Sequence, residues 1–413
     1  MLNALTVRVI TSREDWNTLR SEWNNLLLQS SAPSVYLTHE WLTTWWDCIA
    51  GPNATLNILV IERGGRIVAI APLMMVVKRV LGIPVRKIQF ISTMKKPAHL
   101  STISAHLDII ALSEEEDAML AIFEHLEREG ARWDYLQLYP IPDDSRTLLS
   151  FDAFGARRSL RYLLQPAFHS SLLRIDCSWE EYTTRHRREI KKVIKSPEAS
   201  QSETTGLRVA KYSSLEDVPG GFETLLDIER RSWKWNKGVS LNSALFRDFY
   251  RQFALNIGRQ GMLIIHILEM DGRPIAYNYA IQFGNVIWGQ RMSFDDSYRN
   301  RSPGKYLIYH LLQLAHEKHL TAVDFGWGDA HGQYKTSMTN ARLQYSELMV
   351  FADSLRGRIS RSYFGSPRLR VAVDYMSDFK RRIARHLGIR LATSELTRMD
   401  QLRHHGRNEA ATI

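Results

Sequence analysis

Two cysteines, Cys48 and Cys177, are all that the 413 residues carry, and they lie far apart. That spacing offers no disulfide framework and no zinc-ligand pattern, and it fits a reducing compartment. Long apolar runs are missing too: the longest, IVAIAPLMMVV at 67–77, is far short of a membrane span. The opening MLNALTVRVITSRED has no basic stretch leading into a long apolar one, so no signal peptide is expected. Together these absences lead to the expectation of a soluble, cytoplasmic protein. No Ser-His-Asp pattern and no cysteine nucleophile stand out, so no covalent acyl-enzyme is expected.

What is present is ordinary in bulk, 44% apolar and 24% charged, as in globular chains. The length exceeds one ordinary core, so two domains are expected. Eleven Trp and sixteen Tyr suit either aromatic-lined clefts or bulky cores, cores being the commoner use. The net charge of +10 is unevenly placed: from Arg356 onward 13 Lys/Arg face 5 Asp/Glu, a balance of +8. A basic tail suits an acidic partner such as RNA, an anionic membrane or a polyanionic glycan, or else it is a solvated helix. Its stretch SPRLRVAVDYMSDFKRRIARHLG places Leu369, Val373, Met376, Phe379, Ile383 and Leu387 at three- and four-residue steps, the spacing of a helix.

The chain repeats a plan. LNILVIERGGRIVAIAPLMMVV at 56–77 reads as strand, Gly-Gly-Arg turn and strand, and MLIIHILEMDGRPIAYNYAIQF at 262–283 does the same around Asp-Gly-Arg. Each is followed by more strand, a helix and a strand: 113–130 then 133–140 in the first half, 303–319 then 321–328 in the second. A Trp-rich helical stretch precedes each hairpin, THEWLTTWWDCI at 38–49 and LLDIERRSWKW at 225–235. The pattern predicts a duplicated α/β (α+β) fold rather than one doubly wound sheet. The expected units are a first domain over 1–165, a second over 166–355 and a basic helical tail over 356–413.

The two helix starts differ. In YRNRSPGKYLIYHLLQLA, Ser302 is a candidate N-cap, Pro303 suits the first helical position and Gly304 lets a ligand near the backbone. The first-turn amides of Gly304, Lys305 and Tyr306 are expected to be free, and Arg299, Arg301 and Lys305 add positive charge, making a candidate anion site. The bland alternative is a capped helix with solvated cations. The first-half helix instead begins Ser113, Glu114, Glu115, Glu116, Asp117, a capping box whose carboxylates repel an anion. A cofactor anion is therefore expected in the second copy only.

The stretch WGQRMSFDDSYRNRSPGKYLIYHLLQLAHEKHLTAVDFGWGDAHGQYKTSM resembles the C-terminal module of CelD-like acetyltransferases of the GNAT superfamily. The matching pieces are Ser-Pro-Gly at 302–304, DFGWGD at 324–329 and Tyr-Lys at 334–335, and WEEYTTRHRREIKKV at 179–193 resembles the helix that opens the module. Coverage is good from about 170 to 350 and looser before it, and the tandem layout is also similar to FemABX peptidyltransferases. The resemblance implies tandem GNAT-type domains, each a mixed, mostly antiparallel sheet flanked by helices. It also implies acetyl-CoA or another acyl-CoA as co-substrate, bound by the second domain, and no metal. The glycine-rich phosphate loop usual in the superfamily is reduced here to Gly304. The activity implied is N- or O-acylation of a sugar or glycan precursor in polysaccharide synthesis.

Acyl transfer must hold the donor, polarise the thioester carbonyl, deprotonate the nucleophile and protonate the leaving thiolate. In the GNAT plan a backbone N–H between splayed strands serves the carbonyl, so no special side chain is needed. Tyr334 is the candidate proton donor to the thiolate, and Lys335 the candidate holder of a phosphate or carboxylate. Asp324 is either a base or an anchor for the loop after it, and His331 is a titratable loop residue. Glu229, Trp233 and Trp235 either face the acceptor or pack in a core, and Asp108 is either an acceptor contact or a strand-edge carboxylate. The expected partners are a small-molecule or glycan acceptor, with the tail meeting an anionic membrane or a synthase complex. Nucleic acid enters only as tRNA, in an alternative FemABX-like aminoacyl transfer. A third alternative is a non-catalytic scaffold.

Overall fold

The structure, a computed structural model, describes residues 4–31, 33–94, 103–188, 190, 206–236, 240–327 and 338–369. The strands are β1 (Leu5–Ile10), β2 (Ala54–Leu56), β3 (Ile58–Arg63), β4 (Arg66–Ala71), β5 (Leu73–Val80), β6 (Ile83–Phe90), β7 (Ile110–Ala111), β8 (Tyr135–Pro142), β9 (Arg161–Arg174), β10 (Leu207–Tyr212), β11 (Leu263–Met270), β12 (Arg273–Phe283), β13 (Val286–Phe294), β14 (Ala322–Trp327) and β15 (Ala341–Phe351). They form a four-stranded sheet, β1-β3-β4-β7, and an eleven-stranded one, β10-β11-β12-β13-β14-β9-β15-β8-β6-β5-β2. This is the expected α/β (α+β) architecture: large, mostly antiparallel GNAT-type sheets flanked by helices.

Both hairpins fold as their turn residues demand. Gly64 and Gly65 (φ 59° and 80°) join β3 to β4, and Asp271 and Gly272 (φ 51° and 77°) join β11 to β12. Two successive left-handed residues match the twist of the strands they link. The duplication also shows in the pairing: each half holds one parallel pair, β6 with β8 and β13 with β14. The helices Glu116–Arg128 and Pro303–Glu317 connect those parallel strands.

The halves share one sheet. Strand β9 runs across the expected join at 165/166 and pairs with β14 of the second half, while β15 inserts between β9 and β8 of the first. A helix-on-helix contact seals them. Trp41, from helix His39–Ile49, meets Phe249 at 4.9 Å and Phe253 at 4.8 Å on helix Ala244–Gly258, and its Nε1–H donates to Ser104. Truncating such a buried indole costs about 3–5 kcal/mol. The start of the tail docks too, as helix Leu355–Gly365 lays Ile359, Tyr363 and Phe364 on Val80, Val85 and Tyr135. The remainder of the tail helix predicted from 366 lies, beyond Leu369, outside the described residues.

Two helix starts differ from their sequence reading. The first-half helix begins at Glu116 rather than Ser113, with no side-chain cap. Arg63 takes Glu115 at 2.8 Å and Asp117 at 2.6 Å, so an ion pair fixes the first turn instead of a capping box. In the second half Ser302 sits at φ 51°, ψ 44°, ending the short turn Asp296–Arg301. In that left-handed conformation its hydroxyl caps nothing, and its carbonyl accepts from Lys305 N–H at 3.0 Å and Tyr306 N–H at 3.3 Å.

Candidate functional site

The parallel ladder of β13 and β14 lasts for three residue pairs, Val286↔Ala322, Ile287↔Val323 and Trp288↔Asp324. There the strands part. A bulge in β13 between its pairings with Tyr279 and Ala280 starts the divergence. On the facing strand Gly326 turns at φ 67° while Asp324 accepts the Gly326 N–H at 2.5 Å. The second Asp324 oxygen accepts from Ser170 at 3.4 Å. Asp324 thus ties down the turn that opens the cleft. Gly289 sits at its base: a Cβ there would lie 3.2 Å from the Asp324 carbonyl oxygen, so a side chain would wedge the two strands at their branching point. Past that point no bond runs from Gly289–Phe294 to β14, and the edge of β13 is open among the described residues.

The first half makes the same geometry and then fills it. Strands β6 and β8 pair from Lys87↔Tyr135 to Gln89↔Gln137. Beyond that, Thr93 donates to the Tyr139 carbonyl at 2.7 Å and Leu107 N–H to the Pro140 carbonyl at 3.0 Å. The chain's own segments therefore occupy the first cleft.

Helix Pro303–Glu317 starts beside the open cleft. Pro303 holds the expected first position, but the free donors are fewer than the three expected. Lys305 and Tyr306 bond to Ser302, leaving the Gly304 amide unbonded among the described residues. Gly304 is buried, and a Cβ there would make ordinary contact with Met292 and Phe294 at 3.5 Å, so the packing of helix on β13 does not by itself demand glycine. Arg299 is exposed and bound to Asp296 at 3.0 Å. Exposed Arg301 lies over the Tyr298 ring at 5.8 Å. Lys305 is half-buried and forms no ion pair among the described residues. The cationic rim thus rests on these three side chains more than on backbone amides.

The remaining predicted residues divide. His331, Tyr334 and Lys335 lie outside the described residues, as do positions 189 and 191–193 of the stretch 179–193. Glu229 is fully buried and accepts from the Tyr277 hydroxyl at 2.8 Å; burial, and after it the Glu229 carboxylate, hold that phenol well above its usual pKa. Trp233 is exposed and Trp235 half-buried, on a short helix whose Lys234 donates to the Met292 carbonyl of β13. Asp108 lies elsewhere in the first half. It accepts from Ser145 at 2.6 Å, Thr147 at 2.5 Å and the Ile109 amide at 2.8 Å, and so holds the start of helix Arg146–Arg158. Burial pushes its carboxyl up to about 6.

The fold brings to the cleft residues that sequence reasoning missed. Tyr36, buried in the first half, accepts from Gln290 at 3.1 Å, just past the parting point. Burial and the nearby Asp324 carboxylate raise its phenol. Arg291 stacks on Tyr250 at 4.9 Å. His106 shares a hydrogen bond with the Tyr345 hydroxyl at 3.2 Å, and burial pushes its imidazole down to about 4. The alternation of Tyr277 and Tyr279 in YNYAIQF was the legible signal, since it puts both on one face. Nothing local marks His106.

Residues 184–336 match the family model of the acetyltransferase (GNAT) domain. This stretch of the second half is similar to a GNAT domain. The chain is accordingly an acyltransferase, and the open β13 edge lies inside the matched region. The fold is shared by solved structures. The crystal structure of FemX is 12% identical, covers 84% of this chain and 97% of its own, and superposes with a TM-score of 0.57. A conserved protein of unknown function from Bacteroides thetaiotaomicron is 8% identical, with coverage of 84% and 100% and a TM-score of 0.52. At such identities these likenesses concern the fold alone. No curated protein matches the chain. Among the described residues no helix is long and apolar enough to cross a membrane, and no three His, Cys, Asp or Glu group to hold a metal.

Proposed function

We propose that the chain transfers an acyl group, acetyl in the simplest case, from coenzyme A to an amino or hydroxyl group of a sugar or glycan precursor. The reaction serves polysaccharide synthesis in the cytoplasm. The observation that carries this reading is the open edge of β13 past Trp288↔Asp324, next to the start of helix Pro303–Glu317. The pantetheine arm lies along that edge, and Arg299, Arg301 and Lys305 face the diphosphate with the positive end of the helix. The thioester carbonyl takes its hydrogen bond from a β13 amide. The acceptor nitrogen or oxygen attacks that carbon directly: the C–N or C–O bond forms, the C–S bond breaks, and the thiolate takes up a proton, for which Tyr334 is the proposed donor. Lys335 is the proposed holder of an acceptor phosphate or carboxylate, with His331 at the loop beside it. Glu229, Trp233 and Trp235 stand on the acceptor side. The basic tail beyond 365 is the proposed contact for an anionic membrane or a synthase complex.

A second reading, aminoacyl transfer from tRNA, is supported by the likeness in fold to FemX and by the basic tail. Titration calorimetry separates the two. The first reading expects heat with acetyl-CoA and none with aminoacyl-tRNA, and the reverse result replaces it with the second. A mass-spectrometric screen of acetyl-CoA and longer acyl-CoAs against amino sugars then names donor and acceptor.

A further inference from the structure

The backbone of β13 alternates in where it points, and one bond phases the alternation. Asp295 N–H, just past the strand's end, donates to the Ile275 carbonyl at 2.8 Å, so residue 295 turns toward β12. In an antiparallel pair each residue directs its N–H and C=O to the same side, and successive residues take opposite sides. Ser293, opposite Tyr277, therefore also turns toward β12, while Met292 and Phe294 turn the other way, toward the open edge. Of these two, Met292 lies nearer to Trp288, where β13 and β14 part.

One side chain reaches that edge. Lys234, from the short helix Trp233–Asn236, donates from Nζ to the Met292 carbonyl. The segment that carries it is anchored on both sides. Arg231 bonds to Asp295 at 2.8 Å and to the Pro274 carbonyl at 2.7 Å, and its own carbonyl accepts from Asp296 N–H at 3.2 Å. The Lys234 amide donates to Ser232 at 3.2 Å, and the Trp235 carbonyl accepts from Asn242 at 2.6 Å. The half-buried Lys234 stem is thus led to the edge of β13. Met292 presents its N–H on that same edge. An oxygen accepting from this N–H and a nitrogen donating to this C=O each stand about 3 Å from atoms of one residue, so the two are neighbours.

We propose that Lys234 is a catalytic residue of the second half's site, donating to the thioester oxygen alongside the Met292 N–H. This rests on the acyl-CoA reading above and adds the side chain with which the β13 amide works. The sequence reading needed no side chain there; the fold supplies one. As the acceptor attacks, the carbonyl π pair moves onto the oxygen, and it returns to carbon as the C–S bond breaks. Lys234 stays an ammonium throughout, so the proton passing from acceptor to thiolate is not its own. A positive donor already in place where negative charge gathers favours the charged oxygen over the neutral one. The simpler use of such a lysine is to discourage pairing along an exposed strand edge.

The test uses the full chain with Lys234→Met, which keeps the stem and removes the charge, and Lys234→Arg, which restores a charged donor. Difference infrared spectroscopy of bound acetyl-CoA, isotopically labelled at the carbonyl carbon, reads the thioester without an acceptor. The expected carbonyl band lies below that of free acetyl-CoA in the unsubstituted chain, rises toward the free position in Lys234→Met and falls again in Lys234→Arg. Calorimetry should show the acetyl-CoA Kd of Lys234→Met changed by less than about fivefold, the net worth of one hydrogen bond. With the acceptor named by the screen above, kcat should fall by about a hundredfold and the KM for acetyl-CoA should hardly move. A carbonyl band that does not shift in Lys234→Met overturns the proposal. Tighter acetyl-CoA binding in that variant, with an unshifted band, overturns it in favour of a lysine that only guards the edge. Absence of acetyl-CoA heat in the unsubstituted chain sinks the donor reading itself, and the proposal with it.

Discussion

The two halves build the same branching point and treat it oppositely. In the first, β6 and β8 part after Gln89↔Gln137, and Thr93 and Leu107 bridge the gap to β8. In the second, β13 and β14 part after Trp288↔Asp324, and the described residues leave the edge of β13 open. The helix starts follow suit. Arg63 neutralises acidic Glu115 and Asp117 in the first half, whereas Arg299, Arg301 and Lys305 gather without a matching acidic first turn in the second. Among the described residues, a duplicated fold has thus left one cleft open and turned the other into a wall.

The largest expected effect comes from closing the open cleft. Gly289→Leu places a side chain against the Asp324 carbonyl, where even a Cβ would stand at 3.2 Å. Acetyl-CoA affinity should fall by about a hundredfold, or about 2.7 kcal/mol, in calorimetry. The matching change in the filled cleft, Thr93→Val, removes one hydrogen bond. It should lower stability by about 1 kcal/mol in urea unfolding and leave acetyl-CoA binding unaltered. Equal effects of the two on binding would erase the contrast.

Next in size is the charge at the helix start. Joint replacement of Arg299, Arg301 and Lys305 by Ala should weaken acetyl-CoA binding by about tenfold and flatten its salt dependence. Arg63→Ala, in the first half, should leave that binding unchanged and slightly lower thermal stability. If instead Arg63→Ala weakens binding, the first helix start shares in holding the donor.

The smallest effect is on acid stability. Burial pushes His106 in the first half and His266 in the second each down to about 4 from 6.5. The unfolded chain binds more protons than the folded one between those values, so stability is lost as pH falls from about 6.5 toward 4. Asp108, pushed up to about 6, acts in the opposite direction, its folded form binding the extra proton below that value. His106→Phe should therefore lessen the acid loss measured by urea unfolding, and His266→Phe should lessen it by a similar amount. An unchanged pH profile in both would mean that neither imidazole is kept neutral by burial.

Much of the fold was legible because its signals are local. Gly-Gly and Asp-Gly announced the hairpins, Pro303 the helix start, and the repeated order of elements the duplication. Within the site, Glu229 and Asp324 were picked out by type and place; the anchoring alternative for Asp324 matches its bond to Gly326, whereas the Tyr277 partner of Glu229 was not legible. Ser302 was read as a hydroxyl cap because serine favours that role, yet the turn Asp296–Arg301 hands the chain over in a left-handed conformation that points the role to its carbonyl. Ser113 lost its capping role to Arg63, 50 residues upstream, because an ion pair across the fold outweighed a local hydrogen bond.

By itself the sequence determined the elements, their order and the sign of charge at each helix start, since turn dihedrals, periodicity and charge are properties of neighbouring residues. Tertiary structure alone decided which cleft stays open and which residues face it. His106 and Tyr345 are 239 positions apart and meet at 3.2 Å, and Tyr36 and Gln290 meet across 254 positions. Such contacts depend on how β9 and β15 bind the two halves into one sheet, and no window of neighbouring residues contains that information.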